Sequence, residues 1–100
     1  MNTITAAELK AKFDSQEDFQ LIDVREDYEF DDFNIGGTNI PMDTIIDSID
    51  KISKDKPVIL RCKTGKRSKA VLLALNNKFS LNNISSLSGG VMGYHEEIGA

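Results

Sequence analysis

The sequence contains no tryptophan, two prolines, one cysteine and no long run of apolar residues. A lone cysteine cannot form a disulfide within the chain, so we expect a reducing, cytoplasmic location. The apolar runs fall far short of the roughly 18 residues that a transmembrane helix needs. The N-terminal stretch MNTITAAELKAKF also lacks a basic leader followed by an apolar core. We therefore expect a soluble protein that is not exported and has no membrane contact.

Residue types that bind metals are equally scarce. His95 is the only histidine and Cys62 the only cysteine, whereas a structural zinc site uses four such ligands at characteristic spacings. We expect no metal and no cofactor, and a surface or packing role for His95.

The composition that remains is that of an ordinary globular protein, with 40% apolar and 28% charged residues over 100 positions. This length supports one small hydrophobic core. Because no repeat, low-complexity tract or flexible linker interrupts the sequence, we treat residues 1–100 as a single domain. No apolar stripe is left over for self-association, so we expect a monomer.

Charge is distributed unevenly along the chain, which has a net charge of -4. Half of the acidic residues lie between Glu17 and Asp32, most of the basic ones lie between Lys51 and Lys69, and no acid occurs from Lys56 to Lys69. Positive charge gathered around one short segment favours a small anion as ligand, since a nucleic acid would need a wider basic face. A solvated charged surface is the alternative.

Hydrophobic patterning predicts alternating helices and strands. Thr5 and Glu8 have the spacing of a capping box, which starts a helix. Strands are predicted at FQLIDV, TNIP, VILRC and NISSL, and helices at TAAELKAKF, MDTIIDSIDKI, SKAVLLALNNKF and VMGYHEEIG. The polar segment REDYEFDDFNIGG is predicted to form a turn of helix and a loop. This alternation predicts an α/β domain with a mainly parallel sheet, in which ligands bind at the carboxyl ends of the strands. Cys62 occupies such an end.

The segment ILRCKTGKRS places Cys62 directly before a run of positive charge that contains Gly65. A cysteine is an effective nucleophile only as the thiolate. Gly65 allows the N–H groups of a tight loop to converge on one anion, and the helix after the loop adds the positive end of its dipole. Lys63, Lys66 and Arg67 add full charges. A strand followed by this loop is equally consistent with Cys62 as a buried packing residue, because free cysteine is often buried. The choice between the two roles stays open at this point.

Four segments occur in order within residues 20–98: LIDVREDYEF, NIGGTNIP, CKTGKRS and NISSLSGGVMGY. Together they resemble the motifs of rhodanese-domain sulfurtransferases, whose active loop reads Cys-x-x-Gly-x-Arg-Ser. The chain departs from the family pattern at Asn34, usually histidine, at Thr38, usually alanine, and at Tyr94, one position from the usual tryptophan. These are scaffold positions, so the departures bear on stability or subfamily more than on activity.

The resemblance implies a rhodanese-like α/β fold with a five-stranded, mostly parallel sheet flanked by helices on both faces. It also implies that Cys62 is the catalytic nucleophile and carries sulfur as a persulfide. The donor would be a small anion such as thiosulfate, a polysulfide or a persulfide, and the acceptor a thiol, cyanide or a protein persulfide. The residues expected to bind the donor are Arg25, Lys63, Thr64, Gly65, Lys66, Arg67 and Ser68.

Two of these residues have competing roles. Arg25 is able to bind the anion or to pair with a nearby carboxylate, and the abundance of acids around it favours the ion pair. Ser68 is predicted to be the N-cap of the helix after the loop, with its hydroxyl also within reach of the bound sulfur. Asp23 is expected to orient backbone groups at a strand end rather than to act as a base.

Other classes of protein fit parts of the pattern. Cysteine phosphatases and arsenate reductases use a Cys-x5-Arg loop wide enough for a tetrahedral oxyanion, whereas four residues separate Cys62 from Arg67, which favours a sulfur atom. A non-catalytic sulfur-carrier or interaction module serving a partner enzyme would share the whole motif, so the sequence leaves it open. A nucleotide-binding P-loop is excluded because Leu60 stands where its first glycine is required.

Overall fold

The computed structural model describes residues 3–98, apart from the side chains of residues 91 and 96–98. Over this range the elements are β1 (Thr3–Ile4), α1 (Ala6–Asp14), β2 (Gln20–Asp23), α2 (Asp27–Asp32), β3 (Thr38–Asn39), a 3₁₀-helix (Ile46–Lys51), β4 (Val58–Arg61), α3 (Lys66–Phe79), β5 (Ile84–Leu87) and α4 (Gly90–Ile98). Gly99, the last residue of the predicted final helix, lies outside the described residues. None of the helices in this range is long and apolar enough to span a bilayer.

The five strands form one sheet in the order β1-β5-β4-β2-β3. Every described strand pair is parallel, so the predicted α/β class and five-stranded sheet are confirmed. β1 was not among the strands predicted from patterning, because two residues are too few to show a period. Since all strands run in one direction, their carboxyl ends meet at one edge of the sheet. Cys62 follows the central strand β4 and therefore lies in the middle of that edge.

Helices cover both faces of the sheet and enclose two apolar clusters. On one face, α3 and the 3₁₀-helix pack on a cluster that includes Ile22, Leu60 and Leu72. On the other face, α1 and α4 pack on a cluster that includes Leu9 and Tyr94. All four residues of β4 are buried, which explains why its sequence is apolar rather than alternating.

Two predicted helix details are wrong. Ser68 is not the N-cap of α3. Gly65 holds that position with a φ of +102°, which glycine adopts far more readily than other residues, so the helix begins at Lys66. The segment 42–52 forms a short 3₁₀-helix interrupted by non-helical dihedrals at Ser48 rather than a regular helix. Isoleucine, aspartate and serine have poor helix propensity, and packing of the isoleucines on the core determines the conformation there.

Candidate active site

The sulfur of Cys62 lies at the floor of the loop that joins β4 to α3. The residue is only 1% exposed, and its side chain lies on the α3 face of the sheet. The backbone N–H of Gly65 donates to Cys62 Sγ at 3.0 Å and that of Ser68 at 3.3 Å. Two N–H groups that converge on one sulfur stabilise negative charge there.

Three other side chains of the loop lie at its surface. Lys63, Thr64 and Lys66 are exposed, and none of them forms an ion pair within the described part of the chain. The loop therefore keeps positive charge accessible at its rim, while the backbone N–H groups of Gly65 and Ser68 point to the sulfur. This arrangement can receive a small anion over the sulfur.

Gly90, which sequence reasoning did not single out as a site residue, supports the loop from below. Its φ is +63°, and a Cβ placed on it would lie 2.5 Å from the Cys62 carbonyl oxygen and 2.6 Å from the Lys63 carbonyl carbon and oxygen. Met92 N–H donates to the Lys63 carbonyl at 3.1 Å. The first turn of α4 thus holds the start of the loop through backbone contact. The pair of glycines in SLSGG was the sequence signal for it.

Ser68 and Ser86 form a buried hydroxyl pair beside the sulfur. Their Oγ atoms are 2.7 Å apart, and Ser68 Oγ lies 3.6 Å from Cys62 Sγ and 3.1 Å from the Gly65 carbonyl oxygen. Ser68 was a predicted site residue, but Ser86 was missed. No local pattern in NISSL identifies it, because its partner belongs to another element.

Arg67 is fixed by an ion pair rather than left free in the loop. Its Nη1 and Nη2 donate to Glu29 Oε1 and Oε2 of α2 at 2.8 and 3.0 Å. The hydrogen bond from Arg67 lowers the pKa of Glu29 from 4.5 to about 2. The pKa of Arg67 is raised, first by Glu29 and to a smaller extent by the charge of Cys62. Arg67 is thus near enough to Cys62 to interact with its charge while being held by α2.

Replacement of Glu29 by glutamine is expected to remove acid-dependent stability. The stabilisation from the ion pair is complete above about pH 4.5 and is lost as the pH falls towards about 2, because the unfolded carboxylate takes up its proton first. Both side chains are partly exposed, so we expect a loss of about 1 kcal/mol at pH 7. Urea unfolding at several pH values measures it. The exposed Asp31 of the same helix provides the control variant Asp31→Asn, and equal pH dependence in the two variants would contradict the prediction.

Arg25 forms an ion pair with Asp23, one of the two roles that the sequence left open. It is 5% exposed, and its Nε and Nη2 donate to the carboxylate of the fully buried Asp23 at 2.6 to 3.0 Å. Asp23 also accepts from the Arg25 backbone N–H at 3.0 Å, as expected for a residue that orients the end of a strand. Arg25 also donates to the Phe33 carbonyl. The role of Arg25 as an anion ligand, which the resemblance implied, stays a prediction.

Arg61 adds a second guanidinium to this buried cluster. Its side chain is fully buried. Arg61 Nη2 lies 3.4 Å from Asp23 Oδ2 and donates to the Gly36 carbonyl. Arg61 Nε and Nη1 have no hydrogen-bond partner in the described range. Burial lowers the pKa of Arg61 to about 10, although Asp23 opposes the shift. The cluster thus holds two cations against one carboxylate.

Replacement of Arg61 by methionine is expected to stabilise the protein by about 1 kcal/mol. A buried guanidinium with unsatisfied donors is removed, while Arg25 still neutralises Asp23. The matched variant Arg25→Met is expected to cost about 3 kcal/mol, because it removes the closer partner of a buried carboxylate. Urea unfolding at pH 7 compares them. A larger loss from Arg61→Met than from Arg25→Met would refute this account.

Two cavities help to place the site. One of about 180 Å³ borders the loop and is lined by residues that include Gly65, Lys66, Lys69 and Ser86. A larger one of about 550 Å³ lies towards the amino ends of β2 and β4, between residues such as Gln20 and Lys56. Neither lining includes Cys62 itself, but the smaller cavity borders Gly65, whose backbone N–H donates to Cys62 Sγ. The nucleophile therefore assigns the site to the carboxyl edge, although the larger cavity is elsewhere. His95 is exposed and its ring packs edge-on against Phe33.

Comparison with known proteins extends over nearly the whole chain. The family profile "Rhodanese-like domain" matches residues 5–97. The chain is 34% identical over 96 residues to YtwF of Bacillus subtilis, named a sulfurtransferase, and the match covers 94% of this chain and 90% of YtwF. It is 33% identical to part of MoeZ of Mycobacterium tuberculosis, named an adenylyltransferase/sulfurtransferase, covering 97% of this chain. The chain spans 25% of the length of MoeZ.

Solved structures give the same result. A rhodanese-like domain protein from Staphylococcus aureus has a TM-score of 0.84 and 32% identity, over 94% of this chain and 91% of that one. A rhodanese-related protein from Thermoplasma volcanium has a TM-score of 0.83 and 26% identity, over 97% of this chain and 93% of that one.

Proposed function

This chain belongs to the rhodanese-like domain family, and we propose that it is a sulfurtransferase in which Cys62 carries sulfane sulfur from a small anionic donor to a thiophilic acceptor. The observation that carries the proposal is the pair of backbone N–H groups, from Gly65 and Ser68, that donate to Cys62 Sγ. They favour the thiolate, the form of cysteine that attacks sulfur.

The first half-reaction loads the cysteine. With thiosulfate as donor, the Cys62 thiolate attacks the outer sulfur, the bond between that sulfur and the sulfonate breaks, and sulfite leaves with its electron pair. Total charge is conserved, since a thiolate and a dianion give a persulfide anion and a dianion. The backbone N–H groups of residues 63–67 and the exposed charges of Lys63 and Lys66 would stabilise both anions.

The second half-reaction unloads it. An acceptor such as cyanide or a thiolate attacks the outer sulfur of the persulfide, and the Cys62 thiolate leaves. Two half-reactions through a covalent intermediate predict ping-pong kinetics. Because Cys62 is 1% exposed, only a small molecule or a narrow protruding group of a partner protein would reach its sulfur. This leaves room for a carrier role, in which the acceptor is a protein thiol or persulfide.

Mass spectrometry of the purified protein tests the proposal. Incubation with thiosulfate or polysulfide is expected to add about 32 Da, the mass of one sulfur atom, and addition of cyanide is expected to remove it as thiocyanate. A protein that gains no sulfur from any donor would refute the proposal. Sulfur loading without turnover on small acceptors would instead favour the carrier role.

A phosphate ester separates the remaining alternative. The loop has four residues between Cys62 and Arg67, and Arg67 is engaged by Glu29, so no free guanidinium is positioned for a phosphoryl group. We expect no cysteine-dependent hydrolysis of para-nitrophenyl phosphate. If the protein hydrolyses this ester and alkylation of Cys62 abolishes the hydrolysis, a phosphatase activity would be favoured over sulfur transfer.

A further inference from the structure

We propose that Ser86 is a positioning residue for the Cys62 thiolate, acting through the hydroxyl of Ser68. Its own hydroxyl donates to Ser68 Oγ and leaves the single Ser68 proton available for Cys62 Sγ. The inference deepens the proposed function, because the thiolate it concerns is the nucleophile of sulfur transfer. The arrangement of the protons follows from the hydrogen-bond partners and the burial of the two serines, and it does not depend on the reaction.

The three neighbours of Ser68 Oγ compete for one proton. They are the Gly65 carbonyl oxygen at 3.1 Å, Ser86 Oγ at 2.7 Å and Cys62 Sγ at 3.6 Å. A serine hydroxyl donates once and accepts twice. Both serines are buried, at 0% and 2% exposure, so water does not substitute for a missing partner.

The direction of the bond between the serines follows from the partners of Ser86. Among residues 3–98, Ser68 Oγ is the only hydrogen-bond partner described for Ser86 Oγ. If Ser68 donated to Ser86, the Ser86 proton would be buried without an acceptor, which is unfavourable. Ser86 therefore donates, and the Ser68 proton turns elsewhere.

Two proton arrangements then satisfy all the groups. With a protonated sulfur, Cys62 donates to Ser68 Oγ and Ser68 donates to the Gly65 carbonyl. With a thiolate, the Ser68 hydroxyl rotates to Cys62 Sγ and adds a third donor to the N–H groups of Gly65 and Ser68. The Gly65 carbonyl keeps a partner in this state, since Lys69 N–H donates to it at 3.1 Å. In both arrangements Ser86 remains the donor that orients Ser68.

The pH profile of Cys62 alkylation tests this without any sulfur donor. Cys62 is the only cysteine, so iodoacetamide labelling followed by mass spectrometry reports it alone. In Ser86→Ala the pH of half-maximal rate is expected to rise by about half a unit, the size expected for a weakened hydrogen bond to a charged group. Arg67, whose charge interacts with that of Cys62, is unchanged in every variant.

Control variants separate positioning from packing. Ser85 is adjacent on β5, where side chains alternate between faces, so Ser85→Ala is expected to leave the profile unchanged. Ser86→Thr keeps the hydroxyl and is expected to retain the wild-type profile. In a Ser68→Ala background, Ser86→Ala is expected to cause no further shift, because the intermediary is absent.

Two results would overturn the inference. One is a Ser86→Ala profile that matches that of Ser85→Ala, and the other is an equal shift in the presence and absence of the Ser68 hydroxyl. If the expected shifts are found but no donor loads sulfur on Cys62, the proposed sulfurtransferase function fails and the role of Ser86 stands.

Discussion

The variant Cys62→Ala is expected to gain no sulfur from any donor and to lose sulfur transfer by roughly a thousandfold or more, because the atom that would carry the persulfide is absent. The chain has no other cysteine that could substitute. Intact mass after incubation with thiosulfate, together with thiocyanate formation, measures both effects.

Fold stability has to be followed in the same variant, since Cys62 is part of the apolar cluster beneath α3. Loss of one buried sulfur atom is expected to cost about 1 kcal/mol, which leaves the domain folded. Wild-type protein alkylated at Cys62 provides an independent control with an unaltered sequence. Turnover by either form at the wild-type rate would show that the persulfide is not on the pathway.

The variant Gly90→Ala is expected to destabilise the protein by roughly 3 kcal/mol and to slow sulfur loading at least about tenfold. A Cβ at this position would lie 2.5 Å from the Cys62 carbonyl oxygen, and backbone atoms cannot move aside as a flexible side chain could. The start of α4 and the loop that carries Cys62 would therefore have to separate. Urea unfolding and the rate of mass increase with thiosulfate measure the two consequences.

Gly89→Ala is the matched control for this experiment. Gly89 has a φ of +78°, so alanine there meets a similar conformational cost, but its Cβ would lie 3.5 Å from Gly93 Cα, an ordinary contact. We expect a loss of about 1 kcal/mol and nearly unchanged sulfur loading. If the two variants behave alike, the close approach of Gly90 to the loop is not what shapes the site.

Local features of the sequence predicted much of the fold correctly. The capping box is present, with Glu8 N–H donating to Thr5 Oγ1 at 3.1 Å and Thr5 N–H to Glu8 Oε1 at 3.0 Å. The strand at 58–61 and the helix after it lie where their patterns indicated. Such features depend on residues close together in the chain, so they are visible in a short window.

Features that depend on distant partners were missed or left open. β1 is only two residues long and forms by pairing with β5 at the other end of the chain. Arg67 could not be assigned to Glu29, 38 positions away, because several acids and bases were available for pairing. The N-cap of α3 was misassigned because the Ser68 side chain suits an N-cap, whereas the chain enters the helix at Gly65 and the Ser68 backbone N–H donates to Cys62 Sγ.

The sequence by itself determined the class of the fold, the position of Cys62 at the carboxyl end of a strand, and a loop too short for the Cys-x5-Arg spacing. Spacing and hydrophobic pattern are sufficient for these, because they follow from local backbone geometry. Only the tertiary structure decided what surrounds the sulfur: Ser86 beside Ser68, Gly90 beneath the loop, Glu29 on Arg67, and Asp23 on Arg25. Three of these contacts join residues far apart in sequence, and in all four burial and distance select one partner among many of suitable chemistry.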